Sequence, residues 1–306
     1  MRTPAMCTVL FALLLPLSGL GQQSNQASDQ QGRIPAFRKN VSVVSVFFTV
    51  KDHHGALLPN LTKDEFEVLE DARPQTIKYF ASETDLPLTL GLLIDSSRSM
   101  QSMLETEKVV AADFLRQVIT DKDLAFVISF DSSVDMLQDL TSDVRLLDGG
   151  LKRAKINPNP KGELLYDGIY LASTEVLSKQ VGRKAMVALT DGQDEGSRVK
   201  LRDAVEAAQK ADAICYVLLV HASQDAAGTA EMRQLAEATG GRVIEVDNPH
   251  KIGDALRQIS SELRSQYSLG YTPENSKRDG TFRKIEIKSK NGYKIQARRG
   301  YYAPAS

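Results

Sequence analysis

The alternation of short apolar runs with helical stretches between residues 88 and 263 is the feature that most constrains the fold. The apolar runs have the length of strands and cover residues 88–94, 124–130, 184–189, 213–220 and 242–246. Helical spacing follows the first run, from Leu104 to Val118, and recurs at residues 144–154, 164–177, 201–210, 230–238 and 252–263. Such alternation predicts an α/β fold, a doubly wound and mostly parallel sheet with helices on both faces. Residues 134–140 are predicted as an antiparallel edge strand.

The flanking regions show a different pattern, with short alternating strands and few helical segments. Strands are predicted at residues 44–50, 66–70 and 75–80 before the alternating region, and at 267–271, 282–287 and 293–297 after it. Asn291-Gly292 separates the last two runs and is the strongest short signal for a hairpin. We therefore expect a small N-terminal β unit at 41–85, a central domain at 86–264 and a C-terminal β-hairpin segment at 265–306.

The first residues have the composition of a secretory signal peptide. Arg2 precedes an apolar run at residues 6–17, and small residues follow at 18–21. We expect cleavage near Gly21, a disordered leader at 22–40, and a secreted or periplasmic protein; an uncleaved anchor is the alternative, which the shortness of the run and Pro16 within it disfavour. No later run is long enough for a transmembrane segment. After cleavage Cys215 would be the sole cysteine, in a buried strand, so no disulfide is expected.

Composition and charge exclude some classes of partner. The chain has 306 residues, of which 42% are hydrophobic and 25% charged, and its formal net charge is -1. This is ordinary globular composition, and the overall charge does not favour nucleic acid. The basic residues concentrated in 277–299 indicate either solvated strands that resist aggregation or a local polyanion-binding surface.

Oxygen-bearing side chains follow two of the predicted strands. Asp95, Ser97 and Ser99 come directly after the first apolar run, and Asp191 lies in a Thr-Asp-Gly turn after the third. Ligands of open α/β sheets lie at the carboxyl ends of the strands, so these groups are expected to converge. Carboxylates and hydroxyls suit hard divalent cations. On the first loop alone, a serine-rich turn with a capping box at residues 102–105 is the alternative.

These loops, with a third at residues 161–167, resemble the metal-ion-dependent adhesion site (MIDAS) of the von Willebrand factor type A (VWA) domain. The order of loops and strands matches over about residues 86–263, and the flanks resemble the bacterial exported group of VWA-related proteins. The resemblance implies that Asp95, Ser97, Ser99 and Asp191 bind Mg²⁺, or Mn²⁺ or Ca²⁺ in its place. It also implies a non-catalytic adhesion role, in which an acidic side chain of a protein ligand completes the metal's coordination.

Two residues depart from the family pattern. Glu163 stands where the family has threonine. Its carboxylate either enters the metal site, where it would repel an acidic ligand, or points to solvent and favours the start of the next helix. Ala72 stands where related proteins have glycine, and because alanine is disfavoured at positive φ we expect a different turn there.

Other functions remain open on the residues alone. A metal-dependent hydrolase or phosphatase also uses carboxylates at strand ends, and a structural VWA module with an altered metal site is a further possibility. Against catalysis, the first loop lacks a second aspartate, and nothing near Ser97 indicates a paired base. Asp131, Asp167 and Asp194 are expected to support or cap the loops. The oligomeric state is left open.

Overall fold

The computed structural model describes residues 43–82, 86–158, 161–220 and 226–305. The expected signal peptide at 1–21 and leader at 22–40 lie outside these residues. Within the described ranges, no helix has both the length and the hydropathy needed to cross a membrane.

Strands occur in three groups along the chain. The first group consists of β1 (Val44–Lys51), β2 (Phe66–Glu70), β3 (Arg73–Gln75) and β4 (Ile77–Ser82). The second consists of β5 (Leu88–Asp95), β6 (Leu124–Phe130), β7 (Val134–Thr141), β8 (Arg183–Thr190), β9 (Ala213–Val220) and β10 (Val243–Val246). The third consists of β11 (Tyr267–Tyr271), β12 (Phe282–Ser289), β13 (Lys294–Ala297) and β14 (Gly300–Tyr302).

The helices lie between the strands of the second group and directly after β10. They are α1 (Leu104–Val118), α2 (Val144–Leu151), α3 (Leu165–Leu171), α4 (Leu201–Lys210), α5 (Ala226–Thr239) and α6 (Ile252–Arg264). The helix predicted at 164–177 is interrupted, because α3 passes into a π-helical turn at Ala172–Val176 and then a short 3₁₀ turn. Helix α2 ends at Leu151 and α5 begins at Ala226, each a few residues before the predicted limit.

The central sheet has the order β10-β9-β8-β5-β6-β7, parallel except for the antiparallel edge strand β7. Helices α1, α2 and α6 pack on one face, and α3, α4 and α5 on the other. Because both faces are covered, every residue of β5 and β9 is buried. The predicted doubly wound, mostly parallel α/β fold is confirmed.

The flanking strands form a β sandwich in which the N- and C-terminal segments interleave. One sheet has the order β13-β1-β11-β4 and the other β14-β12-β2-β3. They share a hydrophobic core that contains Phe48, Phe66 and Tyr267. The predicted limits of the domains stay predictions.

The predicted hairpin around Asn291-Gly292 is wrong. The chain does turn there, since Gly292 has φ 74°, but β12 and β13 enter different sheets. Strand β12 pairs with β2 and β13 pairs with β1. A turn signal describes local geometry, whereas here the pairing is decided by apolar partners contributed by the other end of the chain.

A buried ion pair lies within the sandwich. Glu70 and Arg283 are each 2% exposed, and Nη1 of Arg283 lies 3.6 Å from Oε1 of Glu70. The hydroxyls of Tyr271 and Tyr301 donate to the other oxygen of Glu70 at 2.8 and 2.9 Å. Arg283 also donates to two backbone carbonyls of the preceding loop. The charge of Glu70 is thus fully partnered inside the protein.

The turn between β2 and β3 differs from our expectation. Asp71 and Ala72 form a two-residue connection with φ values of 47° and 64°. Two successive positive φ values are typical of the type I′ turn, whose twist matches that of the flanking strands. Ala72 therefore adopts the left-handed conformation rather than avoiding it, because the strand pairing of the sandwich imposes the turn.

Candidate metal centre

Three carboxylates converge at the carboxyl edge of the central sheet. Asp95 ends β5, Asp191 directly follows the adjacent strand β8, and Glu163 lies just before α3. One oxygen from each lies within 4.8 Å of the others, and all three residues are buried. Glu163 is only 7% exposed, so the alternative in which its side chain points to solvent is wrong. We call this set the acidic trio.

The first loop places two hydroxyls beside Asp95. The backbone N–H of Ser97 donates to Oδ1 of Asp95 at 2.8 Å, and the hydroxyls of Ser97 and Ser99 lie 2.9 Å apart. Ser97 is buried, whereas Ser99 is exposed, so this side of the site is open to solvent.

The loop does not form the capping box that its sequence allowed. A 3₁₀ turn at Arg98–Ser102 precedes α1, and Met103 is the N-cap residue without a side-chain cap. The 3₁₀ turn moves the start of the helix past Ser102, so the capping geometry is lost. The hydroxyls of Ser97 and Ser99 are therefore not used to cap α1.

Thr190 fixes Asp95 and is a residue that the sequence pattern did not single out. Its hydroxyl donates to Oδ2 of Asp95 at 3.0 Å and accepts from the N–H of Gly192 at 3.0 Å. Thr190 is the last residue of β8 and fully buried. A β-branched residue at a strand end resembles ordinary strand composition, so nothing local marked this role.

Backbone pairing holds Glu163 in place. Glu163 and Glu195 exchange two backbone hydrogen bonds of 2.8 and 2.9 Å, and the N–H of Leu164 donates to the carbonyl of Asp131 at 2.8 Å. Gly162 has φ 154°, and a Cβ there would lie 2.5 Å from the carbonyl oxygen of Glu195. Glycine is thus required for this close approach, which joins the loop before α3 to the loop after β8.

Asp131, Asp167 and Asp194 lie outside the acidic trio and support the loops. Asp194 accepts from the N–H of Tyr166 at 2.9 Å, and Asp167 accepts from the N–H groups of residues 198–199 at 3.0 and 3.1 Å. Asp131 accepts from an N–H within its own turn. Together Asp167 and Asp194 tie the start of α3 to the loop after β8.

The acidic trio has no basic partner. None of the ion pairs among the described residues includes these carboxylates, and Oε1 of Glu163 has no hydrogen-bond partner there. Burial, followed by the charges of Asp95 and Asp191, raises the pKa of Glu163 to about 11. Burial also raises the pKa of Asp95. The common cause is negative charge held away from water without a compensating cation.

Comparison with known proteins agrees with this geometry. The model of the von Willebrand factor type A domain matches residues 90–258. The chain belongs to the von Willebrand factor type A family. No curated protein matches the chain. The VWA resemblance is confirmed, whereas membership of the bacterial exported group stays a prediction.

Two solved structures share the fold of this chain at low identity, and a third is similar with a TM-score below 0.5. A von Willebrand factor type A protein from Catenulispora acidiphila is 12% identical, with 79% of this chain and 74% of that chain covered and a TM-score of 0.53. Proximal thread matrix protein 1 from the mussel byssus, described with a zinc-occupied MIDAS motif, is 15% identical, with 62% and 48% covered and a TM-score of 0.51. BatB from Bacteroides thetaiotaomicron is 19% identical, with 57% and 97% covered and a TM-score of 0.48.

The donors gathered in this VWA domain fit a hard divalent cation. The carboxylates of the acidic trio and the hydroxyls of Ser97 and Ser99 are all oxygen donors, the type that Mg²⁺, Ca²⁺ and Mn²⁺ take in proteins. The buried, unpartnered oxygen of Glu163 is an atom that such a cation would satisfy. The site can therefore hold a divalent cation, and its donors do not single out one ion.

A further buried carboxyl lies behind the first loop of the VWA domain. Glu107 of α1 is 0% exposed, and neither of its carboxyl oxygens has a hydrogen-bond partner among the described residues. Burial, together with the charge of Asp95, raises the pKa of Glu107 to about 8. Its spacing from Leu104 and Ala111 placed it on the buried stripe of α1, so the sequence contained a signal for this residue.

Proposed function

We propose that this is an exported VWA-domain protein that binds another protein in a divalent-cation-dependent manner and without catalysis. The cation is Mg²⁺, with Mn²⁺ or Ca²⁺ as substitutes. Its ligands are the acidic trio of Asp95, Glu163 and Asp191, with the hydroxyls of Ser97 and Ser99. When bound, the cation supplies the positive charge that the acidic trio lacks.

The observation that carries the proposal is the unpartnered oxygen of Glu163. A carboxyl oxygen buried without a hydrogen bond is costly, and it lies within 4.8 Å of two further carboxylates. An ion pair within the protein would normally remove that cost. A cation bound beside exposed Ser99 would remove it here.

The hydroxyls support a binding role rather than a reaction. The hydroxyl of Ser97 lies 2.9 Å from that of Ser99 and beside the carboxylate of Asp95, so its neighbours are the other oxygen donors of the metal site. The zinc-occupied MIDAS motif named for the mussel protein supports the view that sites of this family take divalent cations.

Isothermal titration calorimetry tests the metal site. Mg²⁺, Mn²⁺ and Ca²⁺ are titrated into the wild type, Asp191→Asn and Asp139→Asn, of which the last changes an exposed carboxylate on the edge strand β7. We expect binding heat in the wild type and Asp139→Asn and its loss in Asp191→Asn. Absence of heat with all three ions in the wild type would contradict the proposal.

The remaining parts of the proposal need separate measurements. Hydrolysis of a generic phosphate ester that disappears in Asp95→Asn would contradict the absence of catalysis and support the hydrolase alternative. Export predicts that the protein isolated from its cell envelope or medium begins near residue 22. A protein partner predicts co-purification that a chelator reverses in the wild type and that Asp191→Asn lacks.

A further inference from the structure

We propose that Glu163 is a built-in carboxylate ligand of the metal site and excludes an acidic side chain of a partner from the metal. Positions that the protein leaves free are then filled by water or by neutral oxygens, such as a hydroxyl or a backbone carbonyl of the partner. This inference rests on the proposed function and changes the kind of partner that the site accepts.

Geometry supports a ligand role. The carboxylate of Glu163 is buried, lies within 4.8 Å of those of Asp95 and Asp191, and has one oxygen without a partner. Its backbone is fixed by two hydrogen bonds to Glu195, in the loop that also carries Asp191. This pairing sets the distance between the loop that carries Glu163 and the loop that carries Asp191. The carboxylate of Glu163 is therefore held at the site before any ion binds.

Charge gives the consequence for the partner. A divalent ion surrounded by three ionised carboxylates would leave one net negative charge in a buried site. A carboxylate from a partner would then be repelled, and like charges placed together across an interface are strongly disfavoured. With a neutral hydroxyl in place of Glu163, the same ion and the two remaining carboxylates would balance, and an acidic ligand would be admitted.

One basic residue near the site does not reverse this balance. Arg98 lies in the first loop but is exposed, so water screens its charge. Glu107, fully buried behind the first loop, supplies no positive charge. The buried part of the site is therefore acidic on every element that contributes to it.

Water-proton relaxation with bound Mn²⁺ tests the inference, since it reports the exchangeable waters on the ion. Mn²⁺ is added to the wild type, Glu163→Thr and Glu163→Ala. Acetate is then added as the probe for an acidic ligand. Chloride at equal ionic strength is the control. We expect acetate to displace water and lower the relaxation rate in both variants but not in the wild type. We also expect at least about tenfold weaker Mn²⁺ binding in Glu163→Ala.

The outcomes separate the two proposals. An equal acetate effect in the wild type and Glu163→Thr overturns the role of Glu163 while leaving cation binding intact. Binding of Mn²⁺ by Glu163→Thr but not by the wild type overturns both, because Glu163 would then block the site. Thermal unfolding in chelator checks that each variant is folded, and Arg98→Ala should respond to acetate as the wild type does.

Discussion

The sandwich and the central domain each contain a cluster of buried polar side chains around a carboxylate, and the two clusters are balanced in opposite ways. Glu70 has Arg283 and two tyrosine hydroxyls as partners, all from its own chain. Asp95, Glu163 and Asp191 face one another without a basic residue. A buried charge that is satisfied within the fold indicates a structural role, whereas one left unbalanced indicates a place for something from solution.

The largest expected effect comes from breaking the balanced cluster. Glu70→Ala removes the buried carboxylate beside Arg283 and leaves only the partly exposed Asp279, at 3.7 Å, as its ion-pair partner, so we expect a loss of roughly 3–5 kcal/mol in the free energy of unfolding. Urea denaturation measures it. Glu237→Ala is the control, since it removes an exposed pair with Arg299 and should change stability by less than about 1 kcal/mol. Equal losses in both variants would show that the buried pair contributes no more to stability than an exposed one.

In the central domain, the buried carboxyl of Glu107 near the acidic trio predicts that the unfolding free energy depends on pH. Its pKa is raised in the folded protein to about 8 from 4.5, so the folded state binds the extra proton and stability falls as pH rises between these values. One such proton gives a slope of about 1.4 kcal/mol per pH unit. With a chelator present, the unfolding free energy of Glu107→Gln should fall less steeply with pH than that of the wild type, by about this amount.

Exposed Glu105, which pairs with Lys108 on the same helix, is the control for this measurement. Glu105→Gln should keep the wild-type slope of unfolding free energy against pH. If Glu107→Gln and Glu105→Gln give the same slope, the carboxyl of Glu107 is not a significant source of the pH dependence.

A bound cation should compensate the negative charge of the acidic trio and so stabilise the folded protein. At a free Mn²⁺ concentration 100 times the dissociation constant, we expect a gain of about 2.7 kcal/mol in unfolding free energy. Asp139→Asn should show the same gain and Asp191→Asn little of it, both measured by denaturation with and without chelator. A similar gain in Asp191→Asn would place the bound ion elsewhere.

The smallest expected effect concerns backbone strain at Ala72, in the turn between β2 and β3 of the sandwich. Ala72 has φ 64°, so Ala72→Gly should raise stability by about 0.5–1 kcal/mol, the left-handed penalty less the extra chain entropy of glycine. Ala81→Gly, on the exposed side of β4, should lower stability by a similar amount. A loss in both would show that the turn tolerates alanine without strain.

Sequence patterns predicted the central domain well because its signals are local. Continuous apolar runs marked β6 and β9 with correct limits, and D-x-S-x-S with Asp191 marked two loops that the parallel sheet brings together. The sandwich was predicted only as separate strands. Its pairings join residues far apart in sequence, and no local pattern shows that β12 pairs with β2 rather than with β13.

Within the site, the missed features are those that depend on contacts between loops. Thr190 orients Asp95 across two strands, and the direction of Glu163 depends on its pairing with Glu195. Glu107 was visible as a carboxyl on an apolar stripe, but its missing partners appear only in three dimensions. Residue type and spacing therefore indicated the ligands, and tertiary contacts decided how they are held.

The interleaving of the sandwich has a consequence for how the chain reaches its native state. Val44 pairs with Tyr271, and Phe48 with Ala297, so β1 has no neighbouring strand in its sheet until most of the chain is present. Such nonlocal pairing raises the contact order and slows folding. In the central sheet the strand pair most distant in sequence joins Leu88 to Arg183, so the pairing of β1 closes a longer stretch of chain than any pair of that sheet.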